Sequence, residues 1–174
     1  FPGTAAFYCE APESVGESGR LSAPSIAEYD GFGTALATDG IRMFVGASRH
    51  DALDLNSGAV FSFADRDEDI DLGVPEGWSE ITRFIPADLE QGDRFGESVA
   101  IADDLLVLGA PYAARVVTEI IDGKEVEKER YPLAGKAEIW VRYGEIEDPT
   151  AAFCRLAILQ PETLLANDLF GSSV

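Results

Sequence analysis

Apolar residues along this chain fall in short runs, broken at intervals by Gly, Pro and Asp. FGTALATD and FGESVAIA alternate small or apolar positions with polar ones, whereas RMFVGA and LLVLGA are almost continuously apolar. AVFSFAD and KAEIWVRY follow, and then WSEITRFIP and AFCRLAILQ. Runs this short, enriched in β-branched and aromatic residues and bounded by turn formers, predict strands. No stretch keeps a helical period over three turns.

The same strand pattern occurs more than once. Phe-Gly opens it at Phe32-Gly33, Phe95-Gly96 and Phe170-Gly171. In the first two cases a second glycine follows, in Gly46-Ala47-Ser48 and Gly109-Ala110-Pro111. A third landmark is a glycine with a small apolar residue two positions on and an aromatic five on: Gly58-Ala-Val60-Phe-Ser-Phe63 and Gly135-Lys-Ala137-Glu-Ile-Trp140, with an earlier copy at Gly3. Pro24, Pro86 and Pro161 precede each Phe-Gly, and Asp30, Asp93 and Asp168 stand two residues before the Phe. An ordered set of landmarks at such a period marks a repeat architecture. Four antiparallel strands per repeat describe a β-propeller blade, an all-β unit whose two apolar faces are buried by stacking on its neighbours.

The expected division is 1–28 for the outer strands of a preceding blade, 29–90 for one complete blade, 91–165 for a second carrying a hairpin insertion at 112–134, and 166–174 for the first strand of the next. Propellers close with roughly four to eight blades, so the expectation is an incomplete ring, a fragment of a larger propeller. Small residues on the innermost strand would let backbones approach: Gly33, Ala35, Gly46 and Ala47, then Gly96, Ser98, Gly109 and Ala110. Phe32, Phe95 and Phe170 would fill the widening wedge between blades. The aspartates before them can accept backbone N–H bonds in the connecting turn. Trp78 and Trp140 read as blade core.

Composition then narrows the partners. Thirteen Lys and Arg against 32 Asp and Glu give a net charge of −19. So acidic a surface is a poor match for nucleic acid or anionic membrane, and no apolar run is long enough to insert in a bilayer. The two cysteines, Cys9 and Cys154, match no metal spacing and would lie in blades that are not neighbours, so no bond is expected between them.

Phe-Gly, Gly-Ala-Pro and Gly-x-Ala-x-x-aromatic, in that order, resemble the FG-GAP repeat of integrin α-subunit propellers and many extracellular proteins. The resemblance spans nearly the whole chain. It implies an extracellular or cell-surface location and a scaffold or adhesion role, with partners engaged on the face of the second-to-third and fourth-to-first strand connections. Many members also carry an Asp-x-Asp-x-Asp-Gly calcium loop between the first two strands. Here those loops are only Thr38-Asp39-Gly40 and Ala102-Asp103-Asp104, too few oxygens for an ion that takes about six to eight, so that site is not carried over.

Three other places invite chemistry. Alternating acids at Asp65, Asp67, Asp69 and Asp71 could converge on Ca²⁺, although Ile70 stands where the sharp turn wants glycine; a solvated acidic loop is the competing reading. The insertion contains RVVTEIIDGKEVEKER, where Asp122-Gly123 between two β-prone arms predicts a type I′ hairpin. Its arms would set Val117, Glu119 and Ile121 against Glu125, Glu127 and Glu129, either as a partner-binding hairpin or as a decorative loop. The single His50, beside Asp51, Asp54 and Ser48, has no nucleophile elbow near it, and no catalytic residue is assigned. The leading expectation is a non-enzymatic module that binds a protein partner or the remaining blades of its own propeller. A carbohydrate-binding propeller and the propeller of a glycan-processing enzyme are the alternatives.

Overall fold

The computed structural model describes residues 5–11, 14–65, 78–145, 148 and 150–174. Its elements are all strands: β1 (Ala5–Ala11), β2 (Ser14–Leu21), β3 (Phe32–Thr38), β4 (Arg42–Ala47), β5 (Ala59–Asp65), β6 (Trp78–Phe84), β7 (Ser98–Ala102), β8 (Leu105–Ala110), β9 (Arg115–Ile121), β10 (Lys124–Tyr131), β11 (Lys136–Tyr143) and β12 (Ala152–Leu159). Two antiparallel sheets have four strands each, β3-β4-β5-β6 and β7-β8-β11-β12. Two antiparallel pairs, β1-β2 and β9-β10, accompany them. Neither four-stranded sheet closes on itself, and the two do not form a ring. The first strands β3 and β7 lie side by side, so the sheets converge along that edge.

The period-2 alternation of a strand sends successive side chains to opposite faces, and both faces of the first sheet are buried. On one side Met43, Val45, Ala47, Ala59, Phe61 and Phe63 pack with Phe32, Leu21 and Ala23. On the other, Phe44, Val60 and Phe84 meet Phe95, Leu106, Leu108 and Ala110 of the second sheet. Phe95 therefore fills the space between blades. Phe84 and Trp140 meet edge to face at 5.3 Å across the same seam, and Phe44 meets Phe153 at 5.6 Å. Aromatic pairs of this kind add about 0.5–1.5 kcal/mol each beyond the area they bury.

One expectation is corrected. Gly46, Ala47, Gly109 and Ala110 stand on the second strands β4 and β8, between two neighbours, and not on the innermost strand. The crowding that Gly46 and Gly109 relieve is between sheets, where the next repeat's Phe-Gly crosses over them. Among the described residues no helix is long and apolar enough to cross a membrane.

Candidate functional site

The repeat landmarks meet at the seam between blades. Phe95 pairs with Gly58 through an isolated parallel bridge, and Phe170 pairs with Gly135 in the same way. Phe95 N–H donates to Ser57 O at 3.0 Å and Arg94 N–H to Asn56 O at 3.3 Å. One repeat later, Phe170 N–H donates to Ala134 O at 2.9 Å and Leu169 N–H to Leu133 O at 3.1 Å. Gly58 (φ +87°) and Gly135 (φ +86°) lie so close beneath that a Cβ would collide with the Phe backbone. A Cβ on Gly46 would stand 3.1 Å from the Gly96 carbonyl carbon, and one on Gly109 3.0 Å from that of Gly171. The Gly-Ala of one blade thus seats the Phe-Gly of the next. Ser98 adds a bond from its hydroxyl to Gly171 O at 2.8 Å.

The aspartates close the connecting turns as expected. Asp30, Asp93 and Asp168 each accept, through Oδ2, the backbone N–H three residues upstream, from Ala27, Glu90 and Leu165 at 2.9, 2.9 and 2.7 Å. His50 is part of this frame. Its Nδ1 lies 2.7 Å from Asp30 Oδ2, and its ring lies tilted 5.6 Å from that of Phe61. Ser48 Oγ is engaged instead with Thr34 Oγ1 at 3.3 Å.

Two ionic clusters in the same seam escape a reading of the sequence. In the first, the Asp39 carboxylate receives both Arg42, at 3.0 Å, and Arg142 of the next blade, at 2.9 Å. The Arg42 guanidinium is driven below its ordinary value by burial, which the charge of Asp39 partly offsets. In the second, Lys136 Nζ lies 3.1 Å from Asp88 and 3.4 Å from Glu138, and Arg155 reaches the same two acids at 2.5 and 3.2 Å. Glu138, wholly buried, also accepts Trp140 Nε1–H at 3.1 Å. Burial pushes the Glu138 carboxyl up against the pull of Lys136 and Arg155. Burial acts the same way on Asp88, but the bonds from Arg155 and the charge of Lys136 hold it below the usual aspartate range.

The insertion is a hairpin. Asp122 (φ +52°) and Gly123 (φ +74°) supply the two left-handed residues that a type I′ turn needs. Its register corrects the expected facing. A two-residue turn pairs Ile121 with Lys124, Ile120 with Glu125, Glu119 with Val126 and Thr118 with Glu127. Residues opposite one another share a face, so Glu119 and Ile121 stand with Val126 and Lys124, not with Glu125 and Glu127. A bulge after Glu127 then brings Val117 opposite Glu129. The hairpin base is fastened on two sides. Arg130 donates to Glu90 at 2.6 Å, in the linker entering its blade. Arg115 donates to the carbonyls of Glu162 and Leu164 at 2.6 and 3.2 Å, in the linker leaving it. Ile120 is 71% exposed at the far end, with Ile121 and Val126 also exposed.

Of the acidic run, Asp67, Asp69 and Asp71 lie outside the described residues, and Asp65 is described only in its backbone at the end of β5. No cluster of His, Cys, Asp or Glu among the described residues is arranged to hold a metal ion. Cys154 is free and exposed on β12.

Four-stranded antiparallel sheets, stacked face to face and keyed at one converging edge, define blades of β-propeller type. A family model described as the FG-GAP repeat matches residues 15–63 and 78–120, together more than half of the chain. The chain belongs to the FG-GAP repeat family. No curated protein matches it.

Proposed function

We propose that this chain is a non-enzymatic scaffold or adhesion module of an extracellular or cell-surface protein, binding a protein partner through the propeller face that carries the β9-β10 hairpin. The observation that carries this reading is the fastening of the hairpin to two successive linkers, which presents Ile120, Ile121 and Val126 to solvent. A loop held rigid at its base and apolar at its tip loses little entropy on binding. Ile121 and Val126 share one face of the ribbon and Ile120 stands on the other, and exposed apolar side chains on a projection suit an interface core.

The test immobilises the chain and a variant in which Val116–Arg130 is replaced by a short Gly-Ser connection. Both are presented to a panel of purified receptor ectodomains and matrix proteins, and to a glycan array. Saturable binding to a panel protein that the variant loses supports the reading. Equal binding by both chains, or binding confined to glycans, contradicts it.

A further inference from the structure

The two blades differ at one position where their backbones agree. Arg49 N–H donates to Asp30 O at 2.9 Å, and Tyr112 N–H to Asp93 O at 3.3 Å. His50 N–H donates to Ala47 O and Ala113 N–H to Ala110 O, at 3.1 and 3.2 Å. Gly58 N–H donates to His50 O and Gly135 N–H to Ala113 O, at 2.9 and 2.8 Å. These bonds map Asp30 onto Asp93 and His50 onto Ala113. In the first blade the imidazole fills the space beside the aspartate. In the second only a methyl group stands there, and a cavity of about 200 Å³ opens, lined by Asp93, Ala113, Val116, Lys136, Asp88 and Glu90 among others.

We propose that this cavity is a binding site for an imidazole-type ring, which donates an N–H to Asp93 as His50 does to Asp30. A cavity of roughly 150 Å³ already admits a six-membered ring, so the space is sufficient. Asp93 is 4% exposed, and burial, more than any neighbouring charge, raises its carboxyl above the ordinary aspartate value. Lys136, which replaces Ala59 of the first blade, does not take the missing role: its ammonium bonds Asp88 and Glu138. Asp88 and Glu90 on the wall are already paired, with Lys136 and Arg155 and with Arg130, so Asp93 is the carboxylate left to receive the ring's N–H. The ring can come from a free small molecule or from a histidine side chain of a partner. The inference is independent of the hairpin reading, because free imidazole tests it.

Imidazole is titrated at pH 6 into the chain and followed by amide resonances. The expected result is saturable binding on the order of millimolar, as befits so small a ligand, with shifts centred on Asp93, Ala113, Val116 and Gln160. Ala113→His, which supplies the ring internally, should weaken it at least tenfold. Ala113→Leu, which fills the space without a donor, should do the same and serves if the first variant does not fold. Competition by the tripeptide Gly-His-Gly assigns the site to a partner's histidine, and its failure to compete assigns the site to a free ligand. No saturation with the native chain, or native affinity retained in both Ala113 variants, overturns the proposal.

Discussion

The carbonyl group of Gly96 occupies the space that a side chain on Gly46 would need. A Cβ there would sit 3.1 Å from the Gly96 carbonyl carbon and closer still to its oxygen. Gly109 and Gly171 stand in the same relation one repeat later. The residues that name the repeat are thus the two halves of a joint: one glycine lends its carbonyl, and the other withholds a side chain to receive it.

Gly46→Ala should therefore cost about 2–3 kcal/mol, near the upper end for forcing a methylene into packed structure, because the obstacle is backbone. Gly123→Ala is the control. Gly123, unlike Gly46, lies at positive φ, and a Cβ there meets nothing within 4 Å. It should cost only the left-handed strain of about 1–2 kcal/mol. Chemical denaturation measures both; a larger loss for Gly123→Ala would deny that the joint is tight.

Asp39 neutralises two buried guanidiniums from different blades. Asp39→Ala leaves Arg42 and Arg142 facing each other without that carboxylate, and removing one side of a buried ionic cluster costs about 3–5 kcal/mol. Arg130→Ala, which breaks ion pairs at the exposed hairpin base, should leave the denaturation midpoint almost unchanged. Similar midpoints for the two variants would contradict the assignment of the Asp39 cluster to the blade seam.

The buried acids set the response to pH. Glu138 has a folded-state pKa raised above its ordinary 4.5, so its favourable contribution is complete below 4.5 and is lost as pH rises through the folded value. Asp93 acts in the same sense. Asp88, whose pKa is lowered, contributes above its ordinary 3.8 and loses that contribution as pH falls further. Melting temperature should accordingly rise on acidification from pH 7 towards the ordinary carboxylate range and fall below it. Relief of repulsion within a chain of charge −19 adds to the rise. Glu138→Gln should flatten the upper part of this profile; an unchanged profile in the variant would show that Glu138 does not supply it.

The strands, the repeat and the hairpin were legible because each rests on local chemistry: alternation, glycine where φ is positive, and Asp122-Gly123 at a tight turn. The seam chemistry was not. In Lys136-Ala-Glu138-Ile-Trp140-Val-Arg142 the alternation looks like a strand with its polar side in water. Yet Lys136, Glu138 and Arg142 are buried against the preceding blade, while Ile139 and Val141 are only half-buried. Their partners lie far away in sequence, Asp88 in the linker between the blades and Asp39 in the β3–β4 turn of the preceding one, so no local pattern announces them. The hairpin facing failed for a smaller reason. A two-residue turn pairs odd with even positions, and the parity of the glutamates follows from that count.

The central claim is that Phe-Gly of one repeat is locked onto the blade before it. Native-state hydrogen exchange at the Phe95 amide, bonded to Ser57 O at 3.0 Å, tests it most directly. The account predicts exchange as slow as that of the central strand β5, requiring global unfolding, and a marked acceleration in Gly46→Ala. Exchange at Phe95 as fast as at the exposed turn of Asp122 and Gly123 would contradict it.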